Sequence, residues 1–187
     1  MKFEDEIERA AIEIENGGCI LCPTDTIWGI SADAENYEAV ERVFALKLRP
    51  KTKSMIVLVS DRNMLEKYVE SIPKLALELL EEKNTPSSII YPKSRNLAKN
   101  VPAENGSVAI RIVQDDFCRT LIQRLAKPII STSANLSGEA SPSKFSAINS
   151  AIKTGVDYCV KYKSDLDTEA KSSSIYLIED ENIRQLR

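Results

Sequence analysis

The chain of 187 residues contains no histidine. That absence excludes Ser-His-Asp and Cys-His catalysis and histidine-ligated zinc. It also removes the side chain that ordinarily titrates near neutral pH. Six glycines and eight prolines leave no collagen-like or low-complexity tract. No apolar run approaches the ~20 residues a membrane helix needs, and the acidic start Met1-Lys2-Phe3-Glu4-Asp5-Glu6 is not a signal peptide. The expectation is a cytoplasmic protein with no membrane partner. Neither charge dominates: 25 Lys plus Arg against 28 Asp plus Glu leave a formal charge of −3. The bulk field therefore does not favour nucleic acid, and any anion site must be a local cationic cluster. The G-x-x-x-x-G-K-[ST], G-x-G-x-x-G and G-x-S-x-G motifs are missing as well, so a nucleotide site would be an unconventional one.

What is present is an ordinary soluble balance, 43% hydrophobic and 28% charged residues. The length fits one domain spanning residues 1–187, with room for a substantial core. Of the four cysteines, Cys19 and Cys22 sit in the apolar run Cys-Ile-Leu-Cys, which reads as a buried strand. Residues three apart on a strand point to opposite faces, which suits neither a shared metal nor a disulfide. With Cys118 and Cys159 far apart in sequence, the cysteines read as small buried hydrophobes in a reducing compartment.

Helical and strand patterns alternate along the chain. Phe3, Ile7, Ala11 and Ile14 mark a helix stopped by Gly17-Gly18, and Cys19–Cys22 a strand ended by Pro23. A loop covers 23–29. A second helix carries Val40, Val43, Phe44 and Leu48 and ends at Pro50. Met55–Val59 is an apolar, β-branched strand buried on both faces. Helices around 64–69 and 74–82, a strand at 88–91, a polar loop over 92–106 and a strand at 107–112 follow. A helix through Phe117–Leu125 takes Asp115 or Asp116 as its cap. A strand at 128–130, a helix near 145–153 and strands near 158–160 and 174–178 complete the pattern. The class is α/β, with a twisted, mostly mixed sheet flanked by helices. Ligands in such sheets sit where strands end, which draws attention to the loops after Cys22 and Ile130.

Four groups of residues could do chemistry, each with a plainer alternative. Lys47-Leu48-Arg49-Pro50-Lys51-Thr52-Lys53 is a run of cations without an acid, suited to a polyphosphate or to a solvated connector. Ser131-Thr132-Ser133-Ala134-Asn135-Leu136-Ser137-Gly138 offers hydroxyls and backbone N–H groups as an anion cradle, or a turn that satisfies itself. Pro23-Thr24-Asp25-Thr26-Ile27-Trp28-Gly29 sets a ring near hydroxyls, fit for a small amphipathic ligand or for a turn. Arg111, opposite Val108, Ile110 and Ile112, needs a structural carboxylate or an anionic substrate.

In order along the chain, Pro-Thr-Asp-Thr-x-Trp-Gly at 23–29, Lys-x-Arg-Pro at 47–50, Val-Ala-Ile-Arg at 108–111, Ser-Thr-Ser-Ala-Asn-x-Ser-Gly at 131–138 and Ser-Ser-Ile at 173–175 resemble the YrdC-like family of threonylcarbamoyl-AMP synthases. The resemblance covers nearly the whole chain and its short form. It implies a twisted α/β sheet with a cationic concave surface. It implies condensation of L-threonine, bicarbonate and ATP, with Mg²⁺, into threonylcarbamoyl-AMP and pyrophosphate. A separate transferase complex then modifies tRNA. The alternative is a module that binds tRNA or double-stranded RNA, or a paralogue without synthase activity. The resemblance assigns catalysis to Lys47 and Arg49, which hold the ATP phosphates with Lys51 nearby. Ser107, Ser133, Asn135, Ser141 and Arg184 join the nucleotide side. Thr24, Thr26, Arg111, Ser131 and Ser173 line the threonine side, and no protein metal ligands are implied. The attacking carbamate is already an anion, so such a site can work by positioning and charge without imidazole.

Overall fold

The computed structural model of the chain describes residues 2–82, 85–164, 172–179 and 182–187. Helix α1 (Phe3–Glu15) leads into β1 (Ile20–Cys22) and β2 (Gly29–Asp33). Helix α2 (Tyr37–Leu46), β3 (Ile56–Val59), α3 (Arg62–Tyr68) and α4 (Lys74–Glu82) come next. They are followed by β4 (Ser87–Tyr91), β5 (Val108–Ile112), α5 (Asp116–Leu125) and β6 (Ile129–Ser133). The last elements are α6 (Ser150–Gly155), β7 (Tyr158–Cys159), β8 (Ser174–Glu179) and β9 (Asn182–Gln185). The strands form one sheet in the order β7-β1-β2-β6-β3-β5-β4-β8-β9. Pairs β1–β7, β3–β5 and β4–β8 are parallel and the other neighbours antiparallel, so the sheet is mixed, as the alternating pattern predicts.

Local sequence accounts for most of these elements. The acids Glu4, Asp5 and Glu6 occupy the first turn of α1, where the helix dipole favours negative charge. Ile7, Ala10, Ala11 and Ile14 bury its inner face. Gly17, at φ +78°, then turns the chain in the left-handed region, and its N–H bonds the Ile14 carbonyl. Asp115 caps α5 by accepting the Cys118 N–H at 3.0 Å. Val57, Leu58 and Val59 are fully buried, in keeping with the unbroken apolar run of β3. All four cysteines are free thiols. Cys19, Cys22 and Cys118 are buried.

Four elements differ from the sequence expectation. Strand β2 is fully buried yet has only five residues, too few to show a period beside the 23–29 loop. Strand β9 is exposed at every position. Its single apolar residue, Ile183, is exposed and shows no period, and pairing with β8 is what holds it extended. The helix expected near 145–153 is the short α6, capped by Asn149, whose side chain accepts the Ala151 N–H. Helix α2 also stops earlier than Pro50 requires. Lys47 is its C-cap, and Leu48 takes a left-handed φ of +51°.

Candidate active site

A cavity of about 320 Å³ opens over β2, β6, β3 and β5. Thr24, Thr26 and Trp28 enter it from the loop after β1, Arg49 and Ser54 from the loop after α2, and Arg111 from β5. Ser131 and Ser133 come from β6, Ser141 from the following loop, and Ser173 and Arg187 from the C-terminal segment. Distant stretches of chain thus converge because β3, β5 and β6 are neighbours in the sheet.

The 23–29 loop is organised by its own hydroxyls. The Thr24 hydroxyl donates to the Ile27 carbonyl at 2.8 Å and accepts the Thr26 N–H at 3.1 Å. The Thr24 and Thr26 hydroxyls share a bond of 2.9 Å, and Arg111 Nη2 reaches Thr26 Oγ1 at 3.5 Å. Asp25 is the carboxylate that Arg111 needs. Its Oδ1 lies 2.9 Å from Arg111 Nη2, and both side chains are about 5% exposed or less. The structural partner and the cavity position therefore belong to one arginine. Gly29 follows. A Cβ there would stand 2.5 Å from Ser131 Oγ, so glycine lets β2 and β6 close over the cavity floor.

Lys47 does not line this cavity. It is 1% exposed, and its Nζ donates to the carbonyls of Ser133 and Asn135 at 2.5 Å each. Its own carbonyl accepts the Ser137 N–H at 2.9 Å. The lysine thus braces the turn after β6 from both ends. Burial first, and the nearby Arg49 charge second, push its ammonium down to about 8. Asn135 belongs to the same brace. Its Nδ2 donates to the Leu136 and Glu139 carbonyls at 2.9 and 2.7 Å, away from the cavity lining.

Arg49 does face the cavity. Its Nε and Nη2 donate to the Lys53 and Ser54 carbonyls at 3.1 and 2.8 Å, which fixes the fork on the wall. Ser133 and Ser141 line the cavity beside it, whereas Lys51, Ser107 and Arg184 fall outside the lining, each for a physical reason. Lys51 is exposed and pairs with Glu41 at 2.5 Å. Ser107 precedes β5, at the opposite end of that strand from Arg111. Arg184 lies on exposed β9, 3.5 Å from Glu179. Arg187, which the sequence analysis leaves out, lines the cavity instead. The signal available was only its position three residues after Arg184. Trp28 forms part of the wall and packs on Phe145 with ring centroids 4.9 Å apart, which ties the loop bearing Ser141 to the cavity.

Among the described residues no group of three or more Cys, Asp or Glu could hold a metal, and the described lining contains three arginines and no carboxylate. These residues suit anions and do not form a protein Mg²⁺ site. No described helix is long and apolar enough to cross a membrane.

The Sua5/YciO/YrdC family model, described as "Telomere recombination", matches residues 13–187. The chain belongs to the Sua5/YciO/YrdC family. A relative in Methanocaldococcus jannaschii, named putative threonylcarbamoyl-AMP synthase, is 34% identical over 181 residues, 94% of this chain and 81% of the relative. One in Pseudoalteromonas translucida, named threonylcarbamoyl-AMP synthase, is 32% identical over 143 residues, 74% of this chain and 76% of the relative. Among solved structures, P. abyssi Sua5 complexed with L-threonine superposes on the whole chain with a TM-score of 0.87 at 24% identity. The chain spans 54% of that protein's length. E. coli YciO gives a TM-score of 0.85 at 20% identity, covering 100% of this chain and 89% of that one. Both likenesses establish the fold.

Proposed function

We propose that the chain is a threonylcarbamoyl-AMP synthase. It condenses L-threonine, bicarbonate and ATP into threonylcarbamoyl-AMP and pyrophosphate in the cytoplasm, and its product feeds a separate tRNA-modifying transferase. The observation that carries this reading is a hydroxyl-lined cavity whose charged lining is all guanidinium, in a family whose relatives bear that name. Two anionic reactants need opposite charge and alignment more than they need a titrating base. The carbamate oxygen of N-carboxythreonine bonds to the α-phosphorus, and the bond to the bridging oxygen breaks to release pyrophosphate.

In this reading Arg49 is the catalytic cation on the phosphate side, with Ser133 and Ser141 beside it. Thr24, Thr26, Arg111, Ser131 and Ser173 hold the amino acid. Lys47 and Asn135 serve the nucleotide side by shaping the turn that presents Ser133. Mg²⁺ arrives on the triphosphate as part of the substrate.

The test is pyrophosphate release from ATP, Mg²⁺ and bicarbonate with and without threonine. Release that requires threonine supports the synthase. Equal release with serine or with no amino acid overturns it. Silence in that assay together with tight, salt-sensitive binding of double-stranded RNA would favour the RNA-binding reading.

A further inference from the structure

The loop that joins β6 to α6 borders the cavity at Ser141 and is pinned at both ends. At its start the Glu139 carbonyl accepts Asn135 Nδ2 at 2.7 Å, so it hangs on the brace that Lys47 holds. At its end Ile148 is buried in the core. From Glu139 to Ala147 only Pro142 and Phe145 are even partly buried. Gly138, just before, takes φ +94°, with open space where a Cβ would stand. The chain there turns in a region open to glycine, and no side-chain packing fixes its direction.

Phe145 supplies the anchor between the two ends. Its ring packs on Trp28 with centroids 4.9 Å apart and planes at 55°. Lys153 Nζ stands 4.8 Å from the centre of the Phe145 ring and donates to the Ser146 carbonyl at 3.3 Å. Cation, phenyl ring and indole thus link α6 to the cavity wall. Trp28 is itself fixed, being 4% exposed, and its carbonyl accepts the Ala134 N–H at 3.0 Å. The loop is therefore the movable partner of the pair.

We propose that Phe145 is a positioning residue for the nucleotide: clasped on Trp28, it holds the 139–147 segment as a flap and presents Ser141 to the ligand. The nucleotide as ligand rests on the synthase reading, while the clasp rests on the ring geometry. An aromatic contact of this kind shifts an equilibrium about two- to tenfold. That is enough to favour the closed flap and too little to lock it, so ligand and product still pass.

The experiment compares wild type, Phe145→Ala and Phe145→Tyr by initial rates of pyrophosphate release and by hydrogen exchange. In Phe145→Ala the ATP KM should rise about three- to tenfold, while kcat and the threonine KM stay within about twofold. Amides of the 139–147 segment should exchange about two- to tenfold faster, with wild-type rates elsewhere. Phe145→Tyr keeps the ring and should restore both properties; failure to restore them overturns the clasp. An ATP KM within about twofold of wild type overturns the positioning role, as does an equal rise in the threonine KM, which would mark a wall loosened as a whole. Unchanged exchange in the segment overturns the flap. Should wild type show no threonine-dependent turnover, the synthase reading fails, and Phe145 is judged by calorimetric titration with ATP alone. Affinity about three- to tenfold weaker in Phe145→Ala supports the proposal. Binding that is absent, or indifferent to the substitution, overturns it.

Discussion

Replacing Lys47 by methionine separates a brace from a substrate contact. Methionine keeps most of the length of the side chain and removes the ammonium. The Asn135 carbonyl, 2.5 Å from Nζ, then loses its donor, while the Ser133 carbonyl, also 2.5 Å away, keeps the Asn135 N–H at 2.9 Å. One unsatisfied buried carbonyl costs about 1–3 kcal/mol. Against this, a buried charge is relieved. The fall of the ammonium from 10.5 to about 8 corresponds to about 3 kcal/mol. The two terms nearly cancel at pH 7, so stability should change by no more than about 2 kcal/mol, while turnover falls because the turn carrying Ser133 loosens. The pH dependence has a definite sign. The folded protein releases this proton near pH 8, while the unfolded chain holds it to about 10.5. Between those values the unfolded state binds more protons, so stability rises with pH. Below about 8 both states are charged and the cost is fully present. Urea unfolding followed by Trp28, the only tryptophan in the chain, reads both effects. Wild type should gain stability relative to Lys47→Met as pH rises from 8 to 10.5. Parallel curves would refute the shifted ammonium. A variant that keeps wild-type turnover would refute the brace.

Arg49→Ala should lower kcat/KM about 100-fold or more, as loss of an electrostatic donor does, while far-UV circular dichroism stays unchanged because the residue is only half-buried; activity within a few-fold of wild type would remove its catalytic role. Asp25→Ala strands the Arg111 charge in the interior, and breaking such a pair costs about 3–5 kcal/mol, so the melting temperature should drop by about 10 °C in a chain of this size; a shift under about 2 °C would show that Arg111 does not depend on Asp25. Gly29→Ala forces its Cβ, 2.5 Å from Ser131 Oγ, to displace that hydroxyl; a stability loss of about 1–3 kcal/mol with a raised threonine KM is expected from paired melting and initial-rate measurements, and neither change would mean the two strands relax freely.

Much of the frame was legible without coordinates. The unbroken apolar run at 55–59, the Gly17 stop and the Asp115 cap act over a few residues, and each lies where local pattern places it. Period two likewise set Arg111 apart from its apolar neighbours on β5. Two short elements escaped because their cause is not local. Strand β2 is held by partners on both sides and β9 by β8. The site residues divide in the same way. Thr24, Thr26, Arg49, Arg111, Ser131, Ser133, Ser141 and Ser173 converge on one cavity, while Lys51, Ser107 and Arg184 do not reach its lining.

Sequence alone thus determined the alternation of helix and strand, the apolar faces, and a chemistry without imidazole, because these follow from residue type and spacing. Tertiary structure decided which cations meet a ligand. Lys47 and Arg49 stand two residues apart in one basic run, yet the left-handed turn at Leu48 sends one into the core and the other to the cavity. Asp25 became the partner of Arg111, and Arg187 rather than Arg184 joined the wall, through sheet pairings that connect residues far apart in the chain. Charge says what a side chain can bind, but only packing sets its distance from water, from other charges and from the ligand.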